Sequence, residues 1–125
     1  MTTVGIIGLG YVGLPLAVAF AEVGCDVVGV DLDPRKAHQL RAGESYIEDI
    51  PSERLRVVSE RISASTGYEG LERAEAVLIC VPTPLTANRE PDLGPLVDSV
   101  RALSRVLRAG QLVVLEGFAE LRKFF

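Results

Sequence analysis

Polar and apolar positions along this chain fall into blocks of two kinds. Val4 to Ile7, Val27 to Val30, Ala76 to Val81 and Leu112 to Leu115 are short continuous apolar runs. Such runs are expected of strands covered on both faces of a parallel sheet. Between them, apolar residues recur at helical spacing. Leu14 to Val23 is apolar nearly all round, with Val12, Leu16, Ala19, Phe20 and Val23 on one side. That suits a helix packed on a sheet and partly covered by something else. Pro15 is tolerable in its first turn, and Gly24 is a natural stop.

Asp33-Pro34 reads as an N-cap with proline at the first helical position, opening a short helix to about Arg41 that ends at Gly43. Residues 44 to 52 form a polar connection. A short helix over Ser52 to Ser59, a short strand over Arg61 to Ser65 and one helical turn over Glu69 to Arg73 follow. The run Ala76 to Val81 ends in Pro82-Thr83-Pro84, where two prolines force an extended turn. Past a polar loop at Asn88 to Pro91, Asp92 reads as an N-cap. Leu96, Val100, Leu103 and Leu107 then share one helical face, and Gly110 closes the helix. Arg101, Arg105 and Arg108 read as a solvated face. Strands alternating with helices predict an α/β fold, a single-domain doubly wound parallel sheet of order 3-2-1-4-5.

The first connection is the most informative segment. Gly8-Leu9-Gly10-Tyr11-Val12-Gly13 lies between a strand and a helix, and Asp31 closes the next strand eighteen residues after Gly13. Gly8 permits a tight turn out of the strand. Gly10 lets the backbone approach a pyrophosphate, and Gly13 lets helix and strand pack closely. The helix N-terminus offers N–H groups and the positive end of its dipole to phosphates. Asp31 can accept hydrogen bonds from both hydroxyls of an adenosine ribose. A carboxylate there repels a 2′-phosphate, so NAD is favoured over NADP; Arg35 and Lys36 lie close enough to keep NADP open as the alternative.

Composition narrows the remaining classes. The chain has 125 residues, 48% hydrophobic and 24% charged, as for an ordinary soluble globular domain. A net charge of −4 leaves no basic footprint for nucleic acid. Residues 4 to 21 are uncharged, but they contain four glycines and Pro15 and lack a basic flank, so no membrane span or signal peptide is expected. Cys25 and Cys80 are too few for a disulfide framework and lack metal-ligand spacing, so no metal is expected. Cys80 reads as a buried, inert thiol and Cys25 as structural. A cytoplasmic location fits.

Several segments together resemble the N-terminal domain of the UDP-glucose/GDP-mannose dehydrogenase family, the nucleotide-sugar 6-dehydrogenases. They are Gly8-Leu9-Gly10-Tyr11-Val12-Gly13-Leu14-Pro15-Leu16-Ala17, Asp31-Leu32-Asp33, Gly43-Glu44-Ser45-Tyr46-Ile47 and Cys80-Val81-Pro82-Thr83-Pro84-Leu85 continuing to Asn88-Arg89-Glu90-Pro91-Asp92-Leu93. The last is most similar to the branch that oxidises UDP-N-acetylhexosamines. The resemblance covers roughly residues 3 to 116. It implies a Rossmann-type fold and NAD-dependent two-step oxidation of a sugar C6 alcohol to a carboxylate, in the service of polysaccharide biosynthesis. It also implies that the loop around Tyr11 and Val12 lies under the pyrophosphate and that Asp31 holds the adenosine ribose. Lys36 would lie near the adenosine end, and Thr83 would approach the cofactor from the carboxyl end of the fourth strand.

The chain departs from the family after its fifth strand. Where family members carry a Ser-Thr pair and a Pro-Gly-Thr-Thr-like segment, Glu116 is followed by Gly117-Phe118-Ala119-Glu120-Leu121, and the sequence ends at Phe124-Phe125. Phe118 stands in the place of a threonine that orders cofactor and catalytic water in the family. The expected organisation is therefore a dinucleotide-binding domain over residues 1–116 and a divergent tail over 117–125. The resemblance implies that the family's sugar-binding half, with its nucleophilic cysteine, is not among these residues. No catalytic residue is expected among those present, and the truncated chain alone is expected to be catalytically incompetent, with a UDP-sugar as substrate only of a full-length enzyme. The terminal Phe-Phe and an uncovered apolar surface predict a homodimer or looser self-association. A stand-alone NAD(H)-sensing module is the alternative from another class. A hydroxyacid or hydroxyacyl dehydrogenase domain would share the glycine fingerprint but not the later motifs.

Overall fold

A computed structural model describes residues 2–116; the expected tail at 117–125, Phe118 included, lies outside the described residues. Five parallel strands, β1 (Thr3–Ile7), β2 (Asp26–Val30), β3 (Ile62–Ser65), β4 (Ala76–Ile79) and β5 (Leu112–Leu115), form one sheet of order β3-β2-β1-β4-β5, as expected. Four helices connect them: α1 (Gly13–Glu22), α2 (Pro34–Arg41), α3 (Ser52–Val58) and α4 (Gly94–Ser104), with a 3-10 turn at Glu69–Arg73. Thr3 pairs with Asp26 and Val4 with Ala76, so the ends of β1, β2 and β4 that carry the functional loops lie side by side.

The three central strands β1, β2 and β4 are buried on both faces, whereas edge strand β5 is largely exposed, and the central side chains divide by the two-residue period of the pleat. Val4, Ile6, Val27 and Leu78 face a core shared with Leu14, Ala17, Val18 and Ala21 of α1, Ala37 and Leu40 of α2, and Leu55 and Val58 of α3. Ile7, Val28, Val30, Val77 and Ile79 face a second core with Leu71, Ala74 and Leu103 of α4. The start of α2 and the end of α1 follow the expected chemistry. The Asp33 carboxylate accepts the Arg35 N–H at 3.0 Å to cap α2. Gly24, at φ +98°, ends α1 with Gly24 N–H donating to Ala21 and Cys25 N–H to Phe20, the paired bonds of a left-handed glycine stop.

Three expectations change. In α1 the buried residues are Leu14, Ala17, Val18 and Ala21, whereas Val12 and Val23 are exposed. The helix is apolar on both sides, so periodicity did not choose which side meets the sheet. β4 ends at Ile79 rather than Val81. The Cys80 N–H still reaches the Ile7 carbonyl at 2.7 Å, but β1 then turns away at Gly8 and offers no further partner.

α4 is rotated and shortened relative to expectation. Its N-cap is Leu93, not Asp92, although the Asp92 carboxylate accepts the Gly94 N–H at 2.9 Å. It ends at Ser104, well before Gly110. Ser99 and Leu103 face inward with half-buried Leu96 and Val106, while Val100 and Leu107 face solvent at 47% and 45% exposure. Ser99 is compatible with that face because its hydroxyl donates to the Pro95 carbonyl one turn back, at 2.8 Å.

Candidate cofactor site

The loop after β1 is shaped by two close approaches. Gly8 has φ +93°, and a Cβ there would meet the Cys80 carbonyl oxygen at 2.8 Å. A Cβ on Gly13 would lie 1.6 Å from the Gly8 carbonyl oxygen, so α1 starts almost in contact with the end of β1. Gly10 faces open space, with nothing within 4 Å of a Cβ position. No side chain caps the N-terminus of α1, and its first turn holds no acidic residue, leaving the positive end of the helix toward the loop.

Asp31 follows directly on β2. Its Oδ2 accepts the Leu9 N–H at 2.8 Å, and its Oδ1 accepts the Asp33 N–H at 2.9 Å. Each carboxylate oxygen has a second lone pair, so the group can still accept ligand hydroxyls. The Lys36 ammonium lies 3.6 Å from Oδ2. Arg35, in contrast, is mostly exposed and turned onto Asp33, with Nη2 3.1 Å from Oδ2 and Nε 3.1 Å from Oδ1. That pairing holds the Asp33 carboxyl below its ordinary range, through the Arg35 side-chain hydrogen bonds first.

A cavity of about 340 Å³ is lined by Gly8, Gly10, Tyr11, Val12, Asp31 and Lys36 on one side and Cys80, Val81, Pro82 and Glu116 on the other. A second cavity, of about 320 Å³, shares Gly8, Asp31, Lys36, Val81 and Pro82 with the first. Leu32, Tyr68, Pro95 and Ser99 also line it. The fold thus brings six of the eight expected site residues onto one cavity. Gly13 sits behind the loop as a packing residue, and Thr83 is half-buried one residue beyond the lining.

Three participants were not singled out from sequence. Tyr46 donates its hydroxyl to the Leu9 carbonyl, and its ring lies under the Lys36 ammonium, 5.8 Å from ring centroid to Nζ. Burial, then the charges of Asp31 and Asp33, raise its phenol above the ordinary tyrosine range. Glu116 enters the cavity wall because its N–H donates to the Ile79 carbonyl and continues β5 past Leu115. Cys80 is half-buried on the same wall rather than fully buried. Its thiol is pushed up to about 12 by burial first and the Glu116 carboxylate second, so it stays protonated at neutral pH. The only sequence sign for Tyr46 was its place in the Gly43 to Ile47 segment.

A family model described as the NAD binding domain of the UDP-glucose/GDP-mannose dehydrogenase family matches residues 2–119. The chain belongs to this family. It is similar to UDP-N-acetyl-D-glucosamine 6-dehydrogenase of Pseudomonas aeruginosa, 35% identical over 113 residues, 90% of this chain and 26% of that protein. It is also similar to UDP-N-acetyl-D-mannosamine dehydrogenase of Escherichia coli K12, 36% identical over 91% of this chain and 27% of that protein. Among solved structures, the UDP-D-ManNAc dehydrogenase of Pyrococcus horikoshii superposes with a TM-score of 0.86 at 33% identity, over 96% of this chain and 30% of that one. The chain therefore spans about a quarter of the length of the curated relatives it matches. Its cofactor is NAD, as the fingerprint predicted. Among the described residues, no helix of this NAD-binding domain is long and apolar enough to cross a membrane.

The residues present suit that cofactor. Two adjacent cavities with shared walls lie at the carboxyl ends of β1, β2 and β4. One lies beneath a glycine loop and an uncapped helix N-terminus, and the other has apolar walls beside a carboxylate with acceptor capacity to spare.

Proposed function

We propose that this domain is the cofactor-holding part of a nucleotide-sugar 6-dehydrogenase that oxidises the C6 alcohol of a UDP-N-acetylhexosamine to a carboxylate. One observation carries the reading: Asp31 lines the same cavity as Gly8, Gly10, Tyr11 and Val12 of the glycine loop. In that cavity the main chain of Gly8, Gly10, Tyr11 and Val12 would underlie the pyrophosphate, with Gly13 allowing α1 to start close behind. Asp31 would hold the adenosine ribose. Lys36 would stand at the adenosine end, where Leu32, Tyr68 and Pro82 offer apolar walls to a base. Thr83, on the segment that carries Pro82, would approach the cofactor from the β4 side.

Bound NAD supplies a hydride acceptor. Oxidation of the intermediate aldehyde through a thiohemiacetal needs a thiolate nucleophile, and the shifted Cys80 thiol is unsuited to that role. On this reading residues 2–116 bind the cofactor, and sugar-nucleotide turnover requires groups from elsewhere. A cytoplasmic site of action, a role in making activated sugars for polysaccharides and a homodimeric state accompany the proposal.

Calorimetric titration with NAD and NADP tests it. NAD binding with a clear preference over NADP is the expected result. Equal affinity for the two, or binding of neither by folded protein, would overturn the roles given to Asp31 and the loop.

A further inference from the structure

The Leu9 peptide, in the middle of the glycine loop, is held from three directions. Its side chain is fully buried, and it packs against Gly29 so closely that a Cβ on Gly29 would lie 3.0 Å from it. Its N–H donates to Asp31 Oδ2 at 2.8 Å. Its carbonyl accepts the hydroxyl of Tyr46, a residue 37 positions away on the connection between α2 and α3. Lys36 closes the circle, with its ammonium 3.6 Å from the same Asp31 oxygen and over the Tyr46 ring. Asp31 thus holds the Gly8–Leu9 peptide through its N–H, and Tyr46 holds the next one, Leu9–Gly10, through its carbonyl.

The Leu9–Gly10 peptide matters because it leads into the open side of the loop, where the Gly10 carbonyl accepts the Leu14 N–H at 3.0 Å. Gly10, the next residue, touches nothing within 4 Å of a Cβ position, and Tyr11 beside it is 84% exposed. A loop of this kind binds phosphate through backbone N–H groups, whose aim depends on the orientation of each peptide. A hydroxyl gripping the Leu9 carbonyl limits rotation of the Leu9–Gly10 peptide, which leads into Gly10 on the cavity wall.

We propose that Tyr46 is a positioning residue for the cofactor. By holding the Leu9 carbonyl, it presets the glycine loop for the pyrophosphate before ligand arrives. The proposal rests on the reading above that this loop underlies the pyrophosphate. Its phenol remains a donor across the ordinary pH range, because burial and the nearby carboxylates disfavour the phenolate.

Tyr46→Phe is the test, since it keeps the ring packing and the contact with Lys36 and removes only the hydroxyl. Affinities for NAD, ADP-ribose and adenosine are measured calorimetrically, and amide exchange at Leu9 and Gly10 is followed by NMR in the ligand-free chain. Loss of one hydrogen bond predicts that NAD and ADP-ribose bind about five-fold more weakly. Adenosine, with no pyrophosphate to be held, is much less affected, so the ratio of NAD to adenosine affinity falls. The Leu9 and Gly10 amides exchange faster. Wild-type affinities in a folded Tyr46→Phe protein would overturn the proposal. So would an equal loss for all three ligands accompanied by a lower unfolding midpoint, which marks a residue that only fills space. Failure of the wild-type chain to bind NAD is a separate result: it removes the cofactor reading of the loop, and the positioning role with it.

Discussion

The Leu9 N–H donates to Asp31 Oδ2 at 2.8 Å, so the acid at the tip of β2, proposed above to hold the ribose, also holds the glycine loop. On the proposed reading, one side chain both selects the ligand and shapes its site. Asp31→Ala should weaken NAD binding by about 1–3 kcal/mol, the range for a lost hydrogen bond to a charged group. Asp31→Asn should lose less, because its amide oxygen can still accept the Leu9 N–H. Titration of both variants checks this, and an unchanged affinity in Asp31→Ala would remove the ribose role.

The preference between NAD and NADP should respond to the same position. Arg35 is engaged by Asp33, while Lys36 is drawn to Asp31. Asp31→Ser removes the repelling charge and leaves Lys36 without its carboxylate. The preference for NAD should then shrink by on the order of ten-fold, the scale of one like-charge contact at a partly exposed site. Competitive titration with the two cofactors measures it.

Two glycines of the fingerprint should fail in different ways. A Cβ on Gly13 would collide with the Gly8 carbonyl oxygen at 1.6 Å, so Gly13→Ala should destabilise the fold by about 3 kcal/mol or more. Gly10 has open space around it and does not have a positive φ. Gly10→Ala should therefore unfold like the wild type while weakening NAD binding. Denaturant melts paired with titrations separate the two, and equal stability of both variants would contradict the packing role of Gly13.

Cys80 predicts a pH dependence. Its thiol is raised from about 9 to about 12, first by burial and then by Glu116. A group whose folded value is raised favours the folded state below its unfolded value and loses that contribution as pH climbs through the folded one. Stability should thus decline between about pH 9 and 12, and less steeply in Cys80→Ala. At neutral pH, alkylation of Cys80 should be slow, and slower still with NAD present, because the residue lines the cofactor cavity. Alkylation as fast as that of an unfolded control peptide would contradict this.

β5 is one of the two edge strands of the sheet described, with Leu112, Val113 and Leu115 at 60%, 41% and 38% exposure. An apolar strand edge invites pairing with another chain. Leu112→Lys should reduce concentration-dependent self-association in sedimentation, with little change in NAD affinity.

What could be read from sequence was local. A strand, a glycine turn, a helix and a second strand ending in Asp31 are close along the chain, so spacing alone implied their geometry. The caps at Asp33 and Gly24 were legible for the same reason: each bonds backbone within a few residues. The sheet order followed as well, because alternating strands and helices leave few allowed topologies.

The tertiary structure decided whatever depended on a choice between faces or on distant partners. α1 and α4 each carry apolar residues on more than one side, and only packing on the sheet selected Leu14, Ala17 and Val18, or Ser99 and Leu103. β4 stops at Ile79 because its neighbour β1 bends away at Gly8, a fact held in another segment. Tyr46 reaches Leu9 across 37 positions, through a connection with no periodicity to announce it. Hydrophobic patterns record which residues can be buried. Which of them are buried, and which polar groups meet, depends on the surface that each element finally packs against.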